Sequence, residues 1–237
     1  MGCANITDGN VRDVCLNPAV LSAAPLHLLY ASAEPSRFGL SELGTYFIGY
    51  ERNINFCRAA LSFTVFGYDL YHEQTIKLGL SKKIFNNLNG GISLNYNSIT
   101  IKNYGSSGNI SVDAGLVFEL TKDINSAFSV TNLTNSGIGS DRFEQLFNAA
   151  VSYRVAKEFL VCLRIEKEKG FDAALFAGFE YEIINSLFIR SGISGNPEMY
   201  YCGFGYKHTT ISFDYAFSFH NILGSTHSFA IGINFDE

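Results

Sequence analysis

The feature that most constrains the fold is the alternation of large apolar residues with small or polar ones near the end of the chain. In the final segment every second residue is apolar: Phe229, Ile231, Ile233 and Phe235. The segment before it repeats the pattern with Ile211, Phe213, Tyr215, Phe217 and Phe219. Because successive side chains of a strand point to opposite faces, both segments predict strands with one oily face. Such faces must meet either each other or lipid.

The same alternation recurs along the chain from Leu26 onward and predicts roughly fourteen strands. The predicted connections alternate as well. Tight ones at residues 52–55 and 156–157 are interspersed with longer ones at residues 33–41 and 132–145. This asymmetry is expected of the short periplasmic turns and longer extracellular loops of an outer-membrane barrel. The sequence therefore predicts an all-β fold, a fourteen-stranded antiparallel transmembrane β-barrel.

The composition agrees with a barrel in the bacterial outer membrane. Charged residues are 16% of the chain, against about 25% in a typical soluble domain. No apolar run approaches the roughly 18 residues of a transmembrane helix, and 21 Phe and 13 Tyr supply the oily faces. Outer-membrane lipid is thus the expected partner of the outer wall, and the net charge of −5 argues against a nucleic-acid partner. A soluble β-sandwich remains as an alternative in which the oily faces meet each other.

The alternation also sorts the charged residues. On a barrel they fall on the inward face, where charge avoids the cost of contact with lipid. Six of them are predicted to form a lumen charge cluster: Arg164, Glu166, Glu180, Glu182, Arg190 and Asp214. Both signs are present, so we interpret the cluster as ion pairs that fill the interior rather than as a one-sign ion filter.

Residues 1–25 differ from the rest of the chain. They are rich in small and polar residues and contain the turn-forming element Asn17-Pro18-Ala19. We interpret residues 1–25 as a short, partly helical segment outside the barrel wall and residues 26–237 as the barrel. No signal peptide is visible, so a leader upstream of Met1 is expected to have been removed. Cys3 and Cys15 form a disulfide or are small buried thiols; the sequence leaves both open.

No catalytic or metal-binding pattern emerges. Ser225, His227 and Asp214 are close in sequence only, and the spacing of His220 and His227 matches no metal motif. The sequence therefore predicts a protein that is not an enzyme and has no cofactor.

Several short motifs resemble one family of outer-membrane proteins. The opening Met1-Gly2-Cys3-Ala4-Asn5-Ile6, followed by Leu16-Asn17-Pro18-Ala19-Val20-Leu21, is similar to the "MGGAGVA … NPAGL" start of FadL-like proteins, especially the PorV/PorQ-type branch. Further stretches similar to that branch are Val130-Thr131-Asn132-Leu133, Phe179-Glu180-Tyr181, Leu187-Phe188-Ile189-Arg190-Ser191-Gly192 and Leu223-Gly224-Ser225-Thr226-His227.

This resemblance implies a barrel whose N-terminal segment folds back as a hatch, with Asn17, Pro18 and Ala19 in it. It also implies one of two functions, since members either move hydrophobic compounds or serve type IX secretion beside a larger translocon. This chain departs from the family in having short loops.

From the paired lumen charges, the hatch and the short loops we expect a non-enzymatic accessory subunit of a larger outer-membrane complex, as in type IX secretion. Its partner would be a larger outer-membrane protein or a lipoprotein. The alternative is a FadL-like channel for small hydrophobic compounds. Inward-facing apolar side chains that form a continuous pocket beneath the hatch would favour the channel, and a lumen closed by the charge cluster would favour the accessory role.

Overall fold

The computed structural model describes Thr7 and residues 13–23, 27–138 and 141–235. Fourteen strands in this part of the chain form a closed antiparallel barrel, which confirms the predicted fold class. The first seven are β1 His27–Glu34, β2 Thr45–Ile54, β3 Cys57–Tyr68, β4 Tyr71–Phe85, β5 Leu88–Ile101, β6 Gly105–Glu119 and β7 Ile124–Thr131. A small hairpin, β8 Gly137–Ile138 and β9 Asp141–Arg142, follows outside the barrel sheet.

The second half of the barrel completes the ring. Its strands are β10 Leu146–Ala156, β11 Phe159–Glu168, β12 Ala174–Ile184, β13 Leu187–Gly195, β14 Met199–Lys207, β15 Ile211–His220 and β16 Gly224–Asn234. Three 3-10 helices complete the described elements: Asp13–Cys15, Pro18–Ala23 and Ser41–Leu43.

The ring is closed by β16, which pairs with β1 from Leu28↔Asn234 to Ala33↔Phe229. The predicted C-terminal strand residues Phe229, Ile231 and Ile233 lie in β16, and Phe235 follows it. Because β1 and β16 pair, neither is left as an open sheet edge. A closed ladder of this kind is what a β-structure needs within lipid, where no water can satisfy unpaired backbone groups.

The two faces of the barrel wall differ in polarity, as the alternation predicts. Large apolar side chains such as Leu61, Ile92 and Phe204 are exposed on the outer face. Inward-facing neighbours such as Ser62 and Ser93 are buried. The oily faces therefore meet lipid rather than each other, so the alternative of a soluble sandwich is wrong. The chain is an outer-membrane barrel.

The two ends of the barrel differ. One end carries two-residue turns at 55–56, 86–87, 157–158 and 185–186. The first residue of β1, His27, and the last residue of β16, Asn234, lie at this end. The opposite end carries the loops 35–44 and 132–145. The tight-turn end corresponds to the periplasmic side and the loop end to the extracellular side.

None of the helices in the described residues is long and apolar enough to span a membrane.

Candidate functional site

Residues 13–23, a segment that precedes β1, lie inside the barrel, and Asn17 organises them. The Asn17 side-chain oxygen accepts a hydrogen bond from the Ala19 N–H at 3.0 Å, and the Asn17 N–H donates to the Asp13 carbonyl at 2.9 Å. An Asn side chain before a Pro favours a helical turn, because it satisfies a free N–H while Pro has none to satisfy. The 3-10 helix Pro18–Ala23 begins there, and Asn17 and Ala19 are fully buried.

Apolar packing holds this 3-10 helix against the inner wall. Val20 and Leu21 are buried in one cluster with inward-facing side chains of the barrel: Leu28, Tyr30, Phe47, Ala60, Val117, Ala127 and Ala150. Burying Val and Leu fully contributes about 1.5–3 kcal/mol each. The inner wall is therefore apolar where residues 18–21 dock, although most of the other inward positions are polar. Sequence reasoning missed this patch, because in β1 the apolar residues Leu28, Leu29 and Tyr30 are consecutive and indicate no preferred face.

Two facing glycines allow the segment to touch the wall. Gly91 on β5 and Gly115 on β6 are register partners and face inward. A Cβ added to Gly91 would lie 2.4 Å from the Pro18 carbonyl carbon, and one added to Gly115 would lie 2.0 Å from the Asn17 side-chain oxygen. No side chain fits at such distances, so the main chain of the segment lies directly on the main chain of the wall.

Polar contacts fix the same segment. Ser81 donates its hydroxyl to the Ala19 carbonyl at 3.1 Å, and the Lys77 ammonium donates to the Cys15 carbonyl at 3.4 Å. Further along, the Thr7 and Ser152 hydroxyls are 2.6 Å apart. The Ser81 and Lys77 contacts satisfy main-chain carbonyls that burial has removed from water.

A buried ion pair connects this region to the extracellular loop. The Lys77 ammonium lies 2.7 Å from the Asp113 carboxylate, with side chains 7% and 2% exposed. The carboxylate also accepts the Ser93 hydroxyl at 2.9 Å and the Asn132 N–H at 2.8 Å. Since Asn132 begins loop 132–145, Asp113 joins that loop to Lys77 and, through it, to the segment. Lys77 and Asp113 were predicted to face the lumen, but not to pair.

On the outer face of the same wall lies an apolar groove of about 710 Å³. Its sides are formed by outward-facing residues, chiefly Leu80, Ile84, Ile92, Leu116 and Phe128. Its floor contains Gly90, Ala114 and the main chain of Gly91 and Gly115. The two glycines that contact Asn17 and Pro18 on the inside therefore also line the groove on the outside.

The predicted lumen charge cluster divides into separate groups. Arg190 pairs with Glu180 at 2.6 Å and with Asp214. Arg164 pairs with Glu166 at 3.0 Å and lies 4.0 Å above the Phe176 ring. Glu182 belongs to neither group, because its carboxylate accepts the Ser186 N–H at 3.1 Å. The ion pairs exist, but the six residues do not form one cluster that fills the lumen.

Two further predictions concern other side chains. Across residues 7, 13–23, 27–138 and 141–235, no group of three or more His, Cys, Asp or Glu side chains could hold a metal ion. Whether Cys3 and Cys15 form a disulfide or are thiols lies outside the described residues, because Cys3 is not among them. The division at residue 25 also stays a prediction.

Comparison with solved structures identifies the architecture. The Pseudomonas putida toluene transporter TodX aligns with a TM-score of 0.72 over 96% of this chain and 95% of that one, at 11% identity. The CymD monoaromatic hydrocarbon channel aligns with a TM-score of 0.69 over 96% and 94%, at 13% identity. The chain shares the fold of these outer-membrane hydrocarbon channels. A Pseudomonas aeruginosa FadL homologue gives 0.65 over 94% of both chains, at 13% identity.

The structural neighbours are channels and transporters, which is consistent with a protein that is not an enzyme. They match the FadL-like part of the predicted resemblance, whereas nothing in the comparisons supports its PorV/PorQ-type branch. No protein-family model matches the sequence, and a search of curated proteins finds no match.

Proposed function

We propose that this protein is an outer-membrane channel for small hydrophobic compounds and that residues 13–23 belong to a hatch that closes it. The observation that carries the proposal is that only the main chain of Gly91 and Gly115 forms the barrel wall at one point. On its outer side lies the apolar groove, and on its inner side lie Asn17 and Pro18. The FadL-like fold supports the same function, since CymD and TodX are described as a hydrocarbon channel and a toluene transporter.

The groove and the inner cluster give a hydrophobic solute favourable surfaces on both sides of the wall. Apolar surface gains about 25 cal/mol per Å² when it leaves water, so a small hydrocarbon would enter the lipid that borders the groove. Val20 and Leu21 are buried by the wall and would offer it apolar surface on the inner side once the turn moves. Between these two surfaces the solute meets the main chain of Gly91 and Gly115 and the Asn17-Pro18 turn. Movement of that turn away from Gly91 and Gly115 is the change that we propose opens the channel.

The accessory role that the sequence favoured has less support. It required a lumen closed by the charge cluster, yet the Arg190 group retains exposed side chains inside the barrel. A continuous apolar pocket beneath the hatch would favour the channel, and the cluster around Val20 and Leu21 supplies inward-facing apolar side chains there, packed against the segment. No described feature favours a larger translocon as the partner.

The test is uptake of radiolabelled toluene by cells that express the protein in place of their own hydrocarbon channels. We expect Ala114→Trp, which fills the groove, to lower initial uptake roughly tenfold, equivalent to about 1.4 kcal/mol of lost binding. Ala31→Trp is the matched control, because Ala31 also faces lipid but lies on β1, away from the groove.

Folding of each variant is checked by its heat-dependent mobility on a gel. Wild-type uptake no higher than that of cells lacking the protein would overturn the channel function. Equal uptake by the Ala114→Trp and Ala31→Trp variants would show that the solute does not pass through the groove.

A further inference from the structure

The inner face of β12–β15 has exposed side chains near the middle of the barrel, unlike the inner face that holds the hatch, whereas Ala174 and Ser194 at its loop end are buried. In the ring, β14 lies opposite β5. Ala216 faces inward on β15, between its register partners Gly203 and Ser228, and it is exposed. On the hatch side, the inward-facing Ser81 and Ser93 are at most 2% exposed. An exposed side chain inside a closed barrel borders space that water can fill.

Charged side chains line the same space. Arg190 on β13, Glu180 on β12 and Asp214 on β15 form one ion-paired group that reaches across β14, and their side chains remain 27%, 21% and 29% exposed. They lie over Gly205, where an added Cβ would be 2.6 Å from the Asp214 carboxylate. The buried pair of Lys77 and Asp113 has lost this access to solvent. Charges that keep part of their hydration are suited to line a path for water and ions.

The group carries a net negative charge, because one guanidinium faces two carboxylates. The other inward-facing charges on β12–β15 are Glu182 and Lys207, which have opposite signs and lie near the tight-turn end. At the loop end, Glu34 is paired with Arg37 at 3.3 Å. The unbalanced charge along this face is therefore that of Glu180, Arg190 and Asp214.

We infer that the barrel contains a second, aqueous conduit along the inner face of β12–β15, which carries small hydrated solutes and prefers cations. It runs beside the described residues of the hatch, because the 3-10 helix Pro18–Ala23 lies against β3–β6. It is independent of the proposed hydrocarbon route, which crosses the opposite part of the wall. A barrel of fourteen strands is wide enough for both, since barrel diameter grows with strand number.

The experiment is the conductance of the purified full-length protein in planar lipid bilayers with potassium chloride. We expect a steady conductance for the wild type and a severalfold smaller one for Ala216→Trp, whose indole fills the conduit. Phe217→Trp is the matched control, since the neighbouring residue faces lipid, and its conductance is expected to equal that of the wild type. A wild type without conductance, or an Ala216→Trp variant that conducts like the wild type, would overturn the conduit.

The ion preference has its own measurement, the reversal potential in a potassium chloride gradient. Asp214→Asn leaves Arg190 paired with Glu180 and makes the group neutral. Its reversal potential is expected to move toward zero while conductance persists. A reversal potential identical to that of the wild type would overturn the role of these charges, whether or not toluene uptake is observed.

Discussion

Replacing Asp113 with alanine is expected to destabilise the barrel by about 3–5 kcal/mol, because it leaves a buried charge without its partner. Among the residues that the structure describes, the Lys77 ammonium would keep its hydrogen bond to the Cys15 carbonyl at 3.4 Å. Ser93 and the Asn132 N–H would also lose their acceptor. The measurement is the free energy of unfolding in urea, with the barrel in lipid vesicles and unfolding followed by tyrosine fluorescence.

Two variants serve as controls for this expectation. Arg37→Ala breaks the ion pair with Glu34, in which the Arg37 side chain is 51% exposed, and such pairs contribute about 0.2–1 kcal/mol. The double variant Lys77→Met/Asp113→Leu removes both buried charges and is expected to recover much of the loss. A cost for Asp113→Ala no greater than that for Arg37→Ala would show that Asp113 does not hold this region together.

Gly91→Ala is expected to force Pro18 and Ala19 off the barrel wall. The added Cβ would lie 2.4–2.5 Å from three main-chain atoms of Pro18 and Ala19. Main-chain atoms cannot rotate away as a side chain can, so the segment itself must move. Overpacking of this kind costs about 1–3 kcal/mol. The measurement is limited proteolysis within residues 13–23, which should become markedly faster.

Gly195→Ala is the matched control for this variant. It makes the same chemical change in a barrel strand, but nothing lies within 4 Å of the added Cβ. Its proteolysis pattern is expected to match that of the wild type. If Gly91→Ala and the control were cleaved within the segment at the same rate, the close contact between Gly91 and Pro18 would not be what seats the hatch.

The barrel was predictable because its main signal is local. Each strand shows its two faces in its own sequence, and the tight turns fix which strands are neighbours. Glu180 and Arg190 are register partners across such a turn, so their pairing follows from the hairpin. Lys77 and Asp113 lie on β4 and β6, with β5 between them. Contact between strands that are not neighbours depends on the stagger and curvature of the closed ring, which alternation does not encode.

The candidate site was predictable only in part. The family resemblance indicated Asn17, Pro18 and Ala19, but it did not indicate which strands of the barrel wall they contact. Asn89-Gly90-Gly91 has the composition of a turn, whereas the structure places it within β5. Glycine in the interior of a strand is a signal of close backbone approach. That signal, repeated at Gly115, could have located the contact.

The position of the hatch immediately before β1 has a consequence for the order of assembly. Residues 18–23 contact β3–β6, which are among the first strands to follow them in the chain. The Ser81–Ala19 hydrogen bond spans 62 residues, whereas the pairing of Leu28 with Asn234 that closes the ring spans roughly 200. Contacts that are nearer in sequence form more readily, so we expect residues 18–23 to dock on β3–β6 before β16 pairs with β1. On this order the ring would close around a segment that is already in place.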